Sequence, residues 1–176
     1  MTVAELEQCV DMYGRELYAF CRRMAGSTAE GDDLYQETFL TAMEKLDKIK
    51  IEKNPKSYLF TIAVHLWKNK NRKQKRRKAL VNFESMEQKA DEGIEAFDDT
   101  YLPEDTVIAN EMHIQVNKCV NSLDYIYRMP ICLYYISQLS TKEIAKILRL
   151  PEGTVKSRLY AGRKKIKKNL EDLGYD

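Results

Sequence analysis

The chain has 176 residues, enough for one domain or two small ones, with 44% hydrophobic residues and only 7 Gly and 4 Pro, a balance that fits a soluble, helix-rich protein. Its longest apolar runs are a few residues, too short to span a membrane, and Met1–Val10 lacks the basic-then-apolar layout of a signal peptide. The net charge of +2 conceals blocks of opposite sign along the chain.

Residues 1–50 carry 6 basic and 10 acidic side chains. They open with a helix over Thr2–Met24, in which Leu6, Val10, Tyr13, Leu17, Phe20 or Cys21, and Met24 recur at steps of four and three. Gly26 is placed to end it, and Ser27 or Thr28 to cap the next. That second helix, DDLYQETFLTAMEKL, offers Tyr35, Phe39, Ala42, Met43 and Leu46 as a core face. Asp33, Glu37, Leu40 and Glu44 share another side, with Gln36 beside them. By periodicity this side reads as a solvated acidic face, and Leu40 amid carboxylates is the one hint of a protein partner.

Residues 51–80 carry 10 basic side chains and 1 acidic one. Asn54-Pro55 is a good helix start, and the helix runs to about Arg77, packing through Leu59, Ile62, Ala63 and Leu66. Trp67 and Phe60 point elsewhere and suit packing. Tyr58, Thr61, His65, Asn69, Arg72 and Arg76 line up on a separate side. That strip interleaves an aromatic ring, amide and imidazole groups with cations, the mixture that grips unstacked bases on a single strand. Its end, KNKNRKQKRRK, also reads as a solvated or phosphate-binding tail.

Residues 81–110 reverse the sign, with 1 basic and 9 acidic side chains. Residues 79–103, with Gly93 inside and Pro103 at the end, read as a flexible acidic linker and a poor DNA ligand. A second helical unit follows. Ile108, Met112, Val116, Cys119 or Val120, and Leu123 form an apolar stripe. Asp124 caps a further helix rich in Ile131, Leu133, Tyr134 and Ile136, with a bend expected at Pro130.

Ser140 and Glu143 form a capping box opening a short helix through Leu148, with Ile144, Ala145 and Leu148 on its apolar side. Arg149-Leu150-Pro151 breaks it, and Pro151 starts the last helix. There Val155, Leu159, Gly162, Ile166, Leu170 and Leu173 stack into one apolar stripe. Ser157, Tyr160, Ala161 and Lys164 fall opposite, flanked by Lys156, Arg163 and Lys167 on one edge and Arg158 and Lys165 on the other. Small, reachable side chains between cationic rims suit base edges and phosphates in a major groove. A lone helix of this kind reads as a solvated amphipathic helix; the capped helix and three-residue connection before it make it a DNA-reading helix-turn-helix.

Cys9, Cys21, Cys119 and Cys132 show no CxxC spacing and read as reduced core thiols, which places the chain in the cytoplasm. With only His65 and His113, no paired carboxylates in a metal arrangement and no Gly-rich phosphate loop, neither catalysis, metal nor cofactor is expected.

Three stretches, DDLYQETFLTAMEKL (32–46), SYLFTIAVHLWKN (57–69) and LSTKEIAKILRLPEGTVKSRLYAGRKKIKKNL (139–170), together resemble the extracytoplasmic-function sigma factors of bacterial RNA polymerase, in that family's order and separation. The resemblance implies an all-α protein with sigma domain two at 1–78, the linker at 79–103 and sigma domain four at 104–176. It implies that Asp33, Gln36, Glu37 and Leu40 dock on the clamp helices of core polymerase, against the solvated reading of that face. Tyr58, His65 and Asn69 would hold flipped bases of the minus-ten element. Lys156, Ser157, Tyr160 and Ala161 would read the minus-thirty-five element, with Thr154, Arg158 and Arg163 near phosphates. Ala161 stands where the family commonly has a basic or polar residue, implying base contacts that are fewer or more apolar, such as to a thymine methyl. His65 stands where an asparagine is frequent. The linker would thread the polymerase's basic interior channel, domain four would meet its flap, and an anti-sigma protein would hold the factor inactive.

Overall fold

The computed structural model describes residues 1–48, 54–81 and 107–175, with side chains to Arg77 in the third helix and from Glu111 in the fourth. The acidic segment, beyond Val81, and the Ile108 side chain lie outside the described residues. Among the described residues every regular element is helical: α1 (Val3–Met24), α2 (Thr28–Glu44), a 3-10 turn (Leu46–Lys48), α3 (Pro55–Val81), α4 (Val107–Asn121), α5 (Tyr125–Tyr135), α6 (Thr141–Leu148) and α7 (Glu152–Asp172). They fall into two compact units, one built from α1–α3 and one from α4–α7.

The first unit is a three-helix arrangement in which each helix touches the other two. Thr2 and Glu5 form a capping box that starts α1, and Ser27 caps α2 through the Glu30 amide at 3.3 Å. Leu17, Phe20, Cys21, Leu59, Phe60, Ala63 and Val64 are buried between the helices, with Phe20 and Phe60 edge to face at 5.4 Å. Burial pushes the Cys21 thiol up to about 12, as expected for an inert core cysteine. The expected glycine ending of α1 is not used: Ala25 ends it in an extended conformation. Instead the indole Nε1 of Trp67 on α3 donates to the Met24 carbonyl at 2.6 Å, satisfying one of the acceptors a helix end leaves open.

The core faces of α1 and α2 are rotated from the simplest apolar count. Val10 and Met43 are exposed, whereas Cys9 and Gly14 on α1 and Leu34 and Thr38 on α2 are buried. Thr38 can be interior because its hydroxyl donates to the Leu34 carbonyl at 2.6 Å. Gly31 sets the distance: a Cβ there would lie 2.9 Å from the Arg22 Cα, so α2 crosses α1 closer than any larger residue allows.

In the second unit α7 packs against α4, α5 and α6. Val155, Leu159 and Gly162 are its buried positions, facing Ile131, Ile144 and their neighbours in a shared core. Further along, Ile166 and Leu170 are half-buried and Leu173 is exposed, so the expected stripe fades past the other helices. On α4 only Cys119 and Val120 of the expected stripe are buried, Leu123 is buried just after its end, and Met112 is exposed. Helix α5 continues through a buried Pro130, and Asp124 precedes it without a side-chain cap bond. Tyr134, expected among the apolar positions, is exposed and packs edge to face with Tyr135. The Ser140–Glu143 capping box is present, and Ile147 joins Ile144 and Leu148 as the buried side of α6.

Candidate nucleic-acid interface

Three surfaces follow from these packings. The first is the outer side of α7. Once Val155, Leu159 and Gly162 are committed to the core, the 3.6-residue turn directs Lys156, Ser157, Tyr160, Arg163 and Lys164 outward, and all five are exposed. Thr154, Arg158 and Ala161 sit half-buried along the flanks. Tyr160 is 66% exposed, an aromatic ring left in water at the centre of a cationic face. The Ser157 hydroxyl donates to the Thr154 carbonyl at 3.0 Å, leaving its lone pairs outward. Several cations have partners: Lys156 Nζ lies 3.1 Å from Glu152, Lys167 lies 3.6 Å from Glu171, and Lys165 rests over the Tyr127 ring.

The approach to α7 is fixed by three residues. Arg149 ends α6 in the left-handed region at φ 58°, turning the chain so that Leu150 donates back to the Ala145 carbonyl at 3.0 Å. Pro151 then precedes α7, receiving the Thr154 and Val155 amides on its carbonyl. The helix-turn-helix expected from the sequence is therefore built, with Thr141 at the start of α6 donating to Glu152 at 2.7 Å across the pair. That bond, with the Lys156 ammonium beside it, holds the Glu152 carboxyl below the usual carboxylate range.

The second surface is one side of α3. Asn54 caps the helix, its Oδ1 accepting from the Ser57 amide at 3.1 Å. Leu59, Phe60, Ile62, Ala63, Val64 and Trp67 turn inward, which leaves Tyr58 and Thr61 half-buried and His65, Asn69, Arg72 and Arg76 exposed. All six occupy one strip, as their spacing requires. Thr61 donates its hydroxyl to the Ser57 carbonyl at 2.7 Å, so it can offer a ligand lone pairs but not its proton. Gln74 donates to Glu30 at 3.2 Å, tying the cationic end of α3 to α2.

The third surface is the outer side of α2. Asp33, Gln36 and Glu37 are exposed, and Leu40 is 61% exposed among them. Met43 belongs here as well: Gln36, Leu40 and Met43 follow at four and three residues and share one stripe. Met43, expected on the core face with Tyr35 and Phe39, is instead 49% exposed, and its spacing from Gln36 and Leu40 is the signal in the sequence for this stripe. Next to this face, Asp32 accepts from Tyr18 at 2.9 Å and lies 3.6 Å from Arg22, anchoring α2 to α1. Among the described residues no cluster of three His, Cys, Asp or Glu could hold a metal ion.

Comparison with known proteins gives these surfaces a context. The model of Sigma-70 region 2 matches residues 9–77, and that of Sigma-70 region 4 matches residues 113–166. The chain is 35% identical over 168 residues to the ECF RNA polymerase sigma factor SigW of Bacillus subtilis, covering 93% of this chain and 88% of that one. It is 31% identical over 141 residues to the ECF RNA polymerase sigma-E factor of Escherichia coli K12, covering 80% and 74%. Among solved structures it resembles the sigma factor RpoE of Bartonella quintana, crystallised with the anti-sigma factor NepR, with a TM-score of 0.76 at 25% identity over 96% of this chain and 98% of that one. CnrH in complex with the cytosolic domain of CnrY shares the fold, with a TM-score of 0.67 at 20% identity over 97% and 90%.

Proposed function

Because the chain belongs to the ECF sigma factors of RNA polymerase, we propose that it serves its polymerase as a promoter-specificity subunit, with a separate labour for each of the three surfaces. It recruits core enzyme, recognises two promoter elements and promotes melting for transcription initiation. It catalyses nothing itself; RNA synthesis belongs to the core. The observation that carries this reading is the pairing, in one chain, of two basic helices with different faces. The one on α7 has small residues and Tyr160 between cations, and the one on α3 alternates aromatic, amide, imidazole and guanidinium groups.

In this assignment domain four, at 104–176, reads duplex DNA at the minus-thirty-five element. Lys156, Ser157, Tyr160, Ala161 and Lys164 face base edges, and Thr154, Arg158 and Arg163 steady the phosphates. Domain two, at 1–78, holds separated minus-ten bases on Tyr58, Thr61, His65 and Asn69, with Arg72 and Arg76 on the backbone. Asp33, Gln36, Glu37 and Leu40 dock on core polymerase, and the exposure of Leu40 and Met43 among carboxylates supports a protein partner there. The acidic 79–103 linker tethers the two domains, each binding weakly and gaining avidity through the other. An anti-sigma protein that sequesters the factor in the cytoplasm completes the reading; the Bartonella relative is crystallised with one.

Run-off transcription from a promoter library, with core polymerase and this chain, tests the proposal. Transcripts that require the chain and depend on sequence at both elements are expected. A chain that neither co-elutes with core enzyme nor changes the transcript pattern overturns it.

A further inference from the structure

From the first turn of α7, Glu152 reaches two residues with a single oxygen. Its Oε1 accepts from the Thr141 hydroxyl at 2.7 Å and lies 3.1 Å from the Lys156 ammonium. Thr141 opens α6, the first helix of the pair, and Lys156 stands one turn further along the reading face. Both ion-pair side chains are largely open to water, 41% for Glu152 and 63% for Lys156, so the pair is held without being locked. A carboxylate is an unexpected group at this end of a surface meant for phosphates. It repels every duplex alike, whatever the sequence, because phosphates carry no sequence information.

We propose that Glu152 is a specificity-determining positioning residue: anchored by Thr141, it holds Lys156 back from indiscriminate phosphate contact and releases it only where a base edge offers a better partner. This rests on the assignment of Lys156 to the minus-thirty-five face, and goes beyond it by giving a role to an acidic residue outside the set assigned to bases and phosphates. The carboxylate lowers affinity for all DNA, and lowers it less where Lys156 finds its matched base. The result is a wider gap between right and wrong sequences.

The test uses the full chain assembled with core polymerase, titrated on a promoter duplex and on the same duplex with a scrambled minus-thirty-five element. Glu152→Gln keeps an acceptor for Thr141 and removes the charge facing Lys156. It is expected to tighten binding to the scrambled duplex about threefold, with little gain on the intact promoter and a salt slope steeper by up to about one. In a Lys156→Ala background the same substitution is expected to leave discrimination unchanged. Thr141→Val, which frees the carboxylate from α6, is expected to move discrimination in the direction of Glu152→Gln while the helix content of the chain is retained. If Glu152→Gln discriminates as the parent does, or its effect persists undiminished without Lys156, the proposal is wrong although the minus-thirty-five assignment stands. If Lys156→Ala itself leaves discrimination untouched, the assignment fails and this inference fails with it.

Discussion

Helices α3 and α7 are both long, basic and amphipathic, yet they are held in different ways. Helix α7 touches every other helix of its unit, its buried positions spaced through its first half, and its start is pinned by Arg149, Pro151 and the Thr141–Glu152 bond. Helix α3 buries one side between Leu59 and Trp67 and then runs on as a cationic rod from Lys68, with Gln74 donating to Glu30. Acidic residues also divide them. On α7 Glu152 and Glu171 temper two of the lysines, whereas the stretch from Lys68 to Lys78 contains none. A duplex reader needs a rigid frame and tempered charge, because its discrimination depends on geometry. A helix that takes bases out of a separated strand needs stacking groups and strong general attraction, which the α3 strip supplies.

The largest expected effect separates these roles. Replacing Lys156 and Arg163 by Ala should lower promoter affinity about a hundredfold and relax the minus-thirty-five preference, at roughly 1–3 kcal/mol for each contact, while polymerase binding is retained. Replacing Arg72 and Arg76, proposed above to lie on the strand backbone, should instead weaken every template alike and reduce the salt slope by about two. Gel-shift titrations of the holoenzyme at several salt concentrations read both. Matching losses from the two double variants would erase the contrast between the helices.

A second change probes how α3 is fixed. Trp67→Phe keeps an aromatic ring in the core but leaves the Met24 carbonyl, at the buried end of α1, without its donor. The expected loss is about 1–3 kcal/mol of stability, read by urea denaturation, because an unsatisfied buried acceptor keeps its desolvation penalty. This bond also shows what the sequence could not yield. Gly26 follows the last turn of α1 and so invites the standard glycine ending, but the acceptor is met by a residue 43 positions later, and a tertiary hydrogen bond leaves no local signal. The capping box at Ser140, by contrast, is complete within four residues and is legible from spacing, whereas the same box at Thr2 emerges only from the structure. Periodicity locates the helices and the exposed face of α7; it misjudges the core where small or hydroxyl residues do the packing. Thr38 and Gly31 are interior because of a back-bonded hydroxyl and a close helix crossing, neither of which apolar counting registers.

Met43 is the same misjudgement seen from outside, and it yields the next expected effect. With Leu40 it forms an exposed apolar stripe beside Asp33, Gln36 and Glu37. Leu40→Ala and Met43→Ala should each weaken core-polymerase binding about fivefold, near 1 kcal/mol apiece, without altering the unfolding midpoint. Fluorescence titration of labelled chain with core enzyme provides the measurement. If only Leu40→Ala weakens binding, the docking surface ends before the last turn of α2.

The smallest expected effect compares the two helix starts directly. Arg149 and Asn54 are both left-handed non-glycine residues, at φ 58° and 55°. Arg149 has no cap bond from its side chain among those that shape the turn; its conformation is secured by backbone bonds to Ala145 and Lys146, at a conformational cost of roughly 1 kcal/mol. Arg149→Gly should therefore raise stability by about 0.5 kcal/mol, the relieved strain being partly offset by the greater freedom of glycine in the unfolded chain. Asn54 tolerates the same region better and uses its side chain to cap α3, so Asn54→Gly loses the bond to Ser57 while relieving less strain. Its expected change is slightly destabilising. Calorimetry of the two variants gives opposite signs if α7 is entered through a turn fixed by its backbone and α3 through one fixed by a side chain; equal signs would mean that both helices begin by the same device.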